Sequence, residues 1–221
     1  MTKLKNKTIL ITGGASGIGK IMSRLSLDRN AKVIILDINT KKIETTLREL
    51  SPLGNITSYL IDISDIQQIK TTVQQLKETH GRIDVLINNA GIVVGKYFHE
   101  QTTEEIEKTF SINSTAPMHI CNQFLKNMME ENTGHICNIA SSASLVPNPK
   151  MSVYAASKWA IFSWSDSLRL EMIQLKKEIK ITTILPYYIN TGMFKGVQSR
   201  IPILEAEATA LTIIKAIEKN K

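Results

Sequence analysis

The sequence predicts an α/β fold: a single domain built on an open, doubly wound parallel sheet with helices on both faces. Three observations lead there. Short apolar, β-branched runs alternate along the chain with segments of helical periodicity. Each run is continuously apolar, as in parallel strands covered on both sides. The first run stops at a glycine-rich turn, GGASGIG at 13–19, that leads directly into a helical pattern. At 221 residues the chain has ample material for one substantial core.

Residues 7–12 (KTILIT) give the first strand, and helical spacing then runs from Ile18 through Met22, Leu25 and Leu27. Between strand and helix such a turn binds phosphate. Gly13 permits the tight turn, Gly17 lets the backbone approach a pyrophosphate and Gly19 allows close helix–strand packing. Ser16 and Ile18 lie beside them, where the helix N-terminus offers free N–H groups. Residues 31–37 (AKVIILD) form the second strand and end in Asp37, about twenty residues past the glycines, where a carboxylate accepts bonds from an adenosine ribose. Its charge repels a 2′-phosphate, and no arginine precedes Gly17 in the loop or directly follows Asp37, so NAD(H) is favoured over NADP(H). The alternative reading is that Asp37 merely caps the next helix.

A helix is expected near 40–50, a strand near 56–61, a helix near 65–79 and a strand near 83–87 (IDVLI). Asp62, with Ile63 after it, is placed past the third strand to meet an adenine; Asn89, Ala90 and Gly91 follow the fourth, beside the cofactor. Residues 103–131 read as a long helix interrupted by Pro117, which cannot bond the carbonyl of Asn113. Either the helix kinks there and the freed carbonyl holds a water, or the proline starts a second helix. The fifth strand, 135–140 (HICNIA), delivers Ser141. Tyr154 and Lys158 then lie four apart on one helix face, roughly 6 Å from each other. An ammonium so placed favours the phenolate, letting a phenol of pKa near 10 act as acid or base close to neutral pH. Ser141 is positioned to bond the same substrate oxygen. Residues 180–185 (KITTIL) complete the strands.

In order, TGGASGIG, Asp37, Asp62, NNAG, Asn113, Ser141 and the YxxxK at 154–158 resemble the short-chain dehydrogenase/reductase family over nearly the whole chain. The resemblance implies a Rossmann-type fold and a catalytic tetrad of Asn113, Ser141, Tyr154 and Lys158. Tyr154 would be the acid/base, Ser141 would polarise the substrate oxygen, Lys158 would lower the tyrosine pKa and hold the nicotinamide ribose, and Asn113 would fix a relay water. It also implies cofactor contacts from Pro186, Ile189 and Thr191. Tyr187 stands where the family has a glycine. The NTGMF, NNAGIVVGK and SLRLEM stretches are similar to the retinol and 17β-hydroxysteroid dehydrogenase branch, which implies a lipophilic alcohol or its carbonyl. A substrate lid is expected over about 187–203, and either the usual C-terminal strand is absent or the sequence lacks residues. Relatives pair through two long helices, here 103–131 and 153–177, so a homodimer or homotetramer is implied.

The first function reading is an NAD-dependent oxidoreductase moving hydride between nicotinamide and a secondary alcohol or carbonyl. An NADPH-dependent carbonyl or 3-ketoacyl reductase is the alternative, and a non-catalytic dinucleotide-sensing protein is an alternative of another class. Tyr97, Phe98, Leu145, Val146, Tyr187, Met193 and Phe194 suggest an apolar pocket.

Other classes find little support. The net charge is +7, but the lysines are dispersed without interleaved aromatics, so no nucleic-acid partner is expected. No apolar run approaches the roughly 18 residues of a membrane span, and residues 1–7 leave no room for a signal peptide. Cys121 and Cys137 form neither a disulfide framework nor a metal pattern, and the four histidines form no ligand set, so a cytoplasmic protein without a metal is expected.

Overall fold

The computed structural model describes residues 1–193 and 202–220. Six parallel strands form one sheet: β1 (Thr8–Thr12), β2 (Lys32–Asp37), β3 (Ile56–Leu60), β4 (Val85–Asn88), β5 (Gly134–Ile139) and β6 (Ile179–Ile184), in the order β3-β2-β1-β4-β5-β6. The order reverses between β1 and β4, and an open α/β sheet forms a ligand crevice at the carboxyl ends of strands flanking such a point. The helices are α1 (Gly17–Leu27), α2 (Thr40–Leu50), α3 (Ile66–His80), α4 (Thr103–Phe110), α5 (Ala116–Glu130), α6 (Ser152–Gln174) and α7 (Ala206–Lys219).

The continuous apolar character of the strands has its cause in two cores. Successive strand side chains point to opposite faces. Ile9 and Ile11 of β1 pack with Met22 of α1, Ile43 and Leu50 of α2 and Ile213 and Ile217 of α7. Leu10, between them, packs on the other side with Leu76 of α3, Phe124 and Met128 of α5 and Leu168 and Met172 of α6. Ile9, Leu10 and Ile11 are all fully buried. A polar residue at any of the three would lose a partner on one face.

The long helix expected over 103–131 is interrupted before the proline. Residues Ser111–Thr115 form a π-helical turn, closed by the Ala116 N–H bonding the Ser111 carbonyl. Pro117 lies in the first turn of α5, which follows the π-turn directly. The wider turn carries Asn113, buried at 1% exposure. π-turns of this kind re-aim side chains and concentrate at functional sites.

α7 begins at Ala206 and lies along α1, with Arg24 paired to Glu207 and Arg29 to Glu218. Just before it, Ile189 and Leu204 form an isolated parallel bridge, in which the Asn190 N–H bonds the Leu204 carbonyl and the Leu204 N–H bonds the Tyr188 carbonyl. Residues 194–201 of the expected lid, Phe194 included, lie outside the described residues.

Candidate active site

A cleft of about 750 Å³ opens at the carboxyl ends of the strands, across the point where their order reverses. It gathers residues that are distant in sequence. Gly13, Ser16, Gly17, Ile18, Gly19, Asp37, Asp62, Ile63, Asn89, Ala90 and Gly91 line one stretch. Ser141, Tyr154, Lys158, Pro186, Ile189 and Thr191 line the rest. Asn113 is not at its surface but lies behind it, bonded to Ile92. Of the residues expected to make the pocket apolar, Tyr187 and Met193 line the cleft. Tyr97, Phe98, Leu145 and Val146 do not; their loops leave them at least half exposed outside it, except Tyr97 at 49%. Met151, Tyr188 and Val93 contribute apolar surface in their place.

The glycine turn is fixed at its base and open at its tip. The Gly13 N–H bonds the Leu36 carbonyl at 2.7 Å, and Gly13 takes a φ of +64°, a left-handed conformation that favours glycine. A Cβ on Gly19 would overlap the Gly13 carbonyl, so α1 can start this close to β1 only with glycine there. Ser16, the N-cap of α1, makes no side-chain capping bond, which leaves the first N–H groups of the helix facing the cleft. These donors fit a dinucleotide pyrophosphate.

Asp37 is already engaged. Its Oδ2 accepts the Ala15 N–H at 3.1 Å and its Oδ1 accepts the Asn39 N–H at 3.1 Å, each oxygen retaining acceptor capacity for a ribose. The cap of α2 is Asn39, whose side chain accepts the Lys42 N–H, so the helix-capping alternative for Asp37 does not describe this turn. Asp62 accepts from both the N–H and the hydroxyl of Ser64. Asn89 donates to the carbonyls of Thr12 and Gly13, while the Thr12 hydroxyl accepts the N–H groups of Asn89 and Ala90. Thr12 thereby joins the ends of β1 and β4. A buried threonine ending the first strand was its only sequence signal.

Behind the cleft, Asn113 bonds both backbone groups of Ile92, accepting from its N–H at 2.8 Å and donating to its carbonyl at 2.9 Å. It also donates to the Ser157 hydroxyl, which donates in turn to the Tyr154 carbonyl. A Cβ at Gly91 would stand 3.2 Å from Asn113 Oδ1 and 3.4 Å from Lys158 Nζ, so this wall is closely packed. Lys158 is buried and donates to the Ile139 carbonyl at 2.7 Å; desolvation brings its pKa down to about 8. Tyr154 is bonded to Ser141, whose Oγ also accepts the Ala143 N–H.

The four-residue spacing of Tyr154 and Lys158 predicts an ammonium beside the phenol and a lowered phenol pKa. Here burial dominates and pushes the Tyr154 phenol above its ordinary value, with the Ser141 bond acting in the opposite sense. A protonated phenol at neutral pH suits donation of a proton to a carbonyl oxygen. The reverse transfer needs higher pH or added positive charge. Among the described residues no group of three or more His, Cys, Asp or Glu side chains could hold a metal ion.

Comparison with known proteins gives a consistent result. The family model for short chain dehydrogenases matches residues 7–201. Human epidermal retinol dehydrogenase 2 is 36% identical over 221 residues, covering 96% of this chain and 71% of its own. Human 17-beta-hydroxysteroid dehydrogenase 13 is 32% identical over 216 residues, covering 96% and 72%. Among solved structures, a short-chain dehydrogenase from Sphingobium yanoikuyae in complex with NADPH superposes with a TM-score of 0.89 at 24% identity, covering 97% of this chain and 85% of the other.

Proposed function

Because the chain belongs to the short-chain dehydrogenase family, we propose that it is an oxidoreductase moving hydride between a nicotinamide dinucleotide and a lipophilic secondary alcohol or its carbonyl, with NAD(H) preferred. The observation that carries this reading is the meeting of Ser141, Tyr154 and Lys158 in the same cleft as the glycine turn. The first N–H groups of α1 would hold the pyrophosphate, Asp37 the adenosine ribose, Asp62 and Ile63 the adenine, and Lys158 and Thr191 the nicotinamide half. When bound, the nicotinamide supplies or accepts the hydride.

The protein's own part is proton chemistry and orientation. Ser141 donates to the substrate oxygen and fixes it beside Tyr154. In reduction, Tyr154 gives its phenolic proton to the developing alkoxide; in oxidation, the phenolate takes the alcohol proton. The Lys158 ammonium favours the phenolate and limits the charge that the buried phenol must bear alone. Asn113 acts through Ile92 and Ser157 as a positioning residue.

The lipophilic substrate class is supported by Tyr187, Tyr188, Met151 and Met193 in the cleft and by the retinol and hydroxysteroid dehydrogenases among the relatives. Residues 187–203 would form the lid, entering and leaving at the Ile189–Leu204 bridge. Trp159, Leu170 and Ile173 expose apolar surface on α6 and support pairing of two copies there. No helix among the described residues is long and apolar enough to cross a membrane. Two buried free cysteines accord with a cytoplasmic setting.

A second reading, NADPH-dependent carbonyl reduction, rests on Lys42, a cation lining the cleft on the α2 side of Asp37. Titration of the purified protein with NADH and NADPH, followed by a spectrophotometric screen of hydrophobic secondary alcohols and ketones, tests both. Tighter NADH binding with turnover on lipophilic alcohols is expected. Tighter NADPH binding would transfer the assignment to the second reading, and binding without turnover on any alcohol or carbonyl would refute an enzyme.

A further inference from the structure

Thr46 lies on α2, outside the cleft, at 1% exposure. Helical hydroxyls ordinarily turn back onto the carbonyl four residues earlier. Ser26, Thr109, Thr209 and Thr212 all do so here. Thr46 does not. Its hydroxyl leaves α2 and donates at 3.0 Å to the carbonyl of Ala15, in the middle of the glycine turn. Its helix face is otherwise apolar, since Ile43 and Leu50 flank it toward the core. A methyl-bearing side chain would fill that stripe as well, so burial alone gives the hydroxyl no purpose.

Ala15 itself is 3% exposed and is held at both polar groups. Its N–H goes to Asp37 at the end of β2, and its carbonyl receives Thr46. One residue later comes Ser16, the uncapped N-terminus of α1. The orientation of the Ala15–Ser16 peptide sets how the chain enters the first turn of α1. A buried carbonyl deprived of its donor must rotate to find another. The first turn of α1 begins two residues on, at Gly17, and its N–H groups are the ones proposed to receive the pyrophosphate.

We propose that Thr46 is a positioning residue for dinucleotide binding: its hydroxyl holds the Ala15 carbonyl away from the cleft and so reserves the first N–H groups of α1 for the cofactor phosphates. This rests on the dinucleotide reading above. It also separates two roles that meet at the glycine turn. Asp37 both braces Ala15 and faces the ribose, so it influences NAD against NADP choice, whereas Thr46 acts only through the shared pyrophosphate site.

The test uses Thr46→Val, which keeps the shape and removes the hydroxyl, and Thr46→Ser, which keeps the hydroxyl. Dissociation constants for NADH and NADPH are read by fluorescence titration, and amide hydrogen exchange across residues 13–20 is read on the cofactor-free protein. The expected result is a rise of about tenfold in both constants for the valine variant, with their ratio unchanged, recovery in the serine variant, and faster exchange at Ala15. A valine variant with native secondary structure that binds both dinucleotides as tightly as the parent overturns the proposal and leaves the cofactor reading intact. Weakened binding that serine fails to restore also overturns it, since packing rather than the hydroxyl would be responsible. A parent protein that binds neither dinucleotide refutes the cofactor reading itself, and the proposal with it.

Discussion

The Lys158 ammonium donates a 2.7 Å hydrogen bond to the carbonyl of Ile139, the last residue of β5. This cation sits under the sheet end, desolvated, on the same helix as the Tyr154 phenol. A buried amine whose pKa falls from 10.5 to about 8 binds fewer protons folded than unfolded between those values. Stability therefore increases as pH rises through that window, and at neutral pH the buried charge is a net cost. Lys158→Met should abolish turnover while leaving the protein as stable or more so, by about 1 kcal/mol at pH 7. Urea denaturation of the two proteins checks it, and a large loss of stability in the variant would contradict the argument.

Tyr154→Phe removes the proton donor and leaves the ring. Turnover should fall by about 10³-fold, within the range for removal of a general acid. NADH affinity should stay within about twofold, because the hydroxyl is not needed to hold the dinucleotide. Since burial holds the phenol protonated, carbonyl reduction by the parent protein should persist at neutral pH and alcohol oxidation should rise as the pH is raised. Initial rates in both directions across pH check the sign.

Gly19→Ala places a methyl group against the Gly13 carbonyl. The contact is with backbone, so relief requires α1 to move away from β1. The variant should lose dinucleotide binding by at least about a hundredfold and several degrees of thermal stability. Fluorescence titration and thermal denaturation measure the two effects separately.

His135 is enclosed between the Thr2 and Thr182 hydroxyls on β5, and burial with nearby Lys180 and the N-terminus brings its pKa down to about 4. Its unfolded value is 6.5. Below 6.5 the unfolded chain takes up a proton that the folded chain refuses, so stability is lost as pH falls from 6.5 toward 4. The full effect is on the order of 3 kcal/mol. His135→Gln should flatten this part of the stability–pH curve, as denaturant midpoints at neutral and mildly acid pH would show.

Much of this was legible in the chain. The inner strands could be read because they lie between two cores and are mostly apolar, whereas the edge strands β3 (ITSYL) and β6 (IKITTI) are only partly buried and were legible from β-branched residues and spacing. The carboxyl ends of the strands named the candidate site residues that a parallel sheet gathers. Three things were not legible, each for a physical reason. The direction of the loops holding Tyr97, Phe98, Leu145 and Val146 depends on tertiary packing, and an apolar residue near a site does not reveal whether it faces in. The π-turn at Ser111–Thr115 has no strong propensity signature beside a proline that offers a simpler explanation. The shift of the Tyr154 pKa depended on the balance between a neighbouring charge and desolvation, and spacing on a helix shows only the first.

The Ile189–Leu204 bridge has a consequence for how new specificities arise on this scaffold. It pins the departure and return of the intervening segment against each other, independently of what lies between. Exchanging that segment for one of another length should then change mainly a loop-closure entropy, about 0.6 kcal/mol for each doubling. Thr191 has to stay in place through any such exchange, because it stands 3.6 Å from where a Cβ on Gly17 of the glycine turn would lie. On the proposed function, substrate range would then be altered in residues beyond Met193, with Thr191 kept as the fixed point that ties the segment to the dinucleotide half of the molecule.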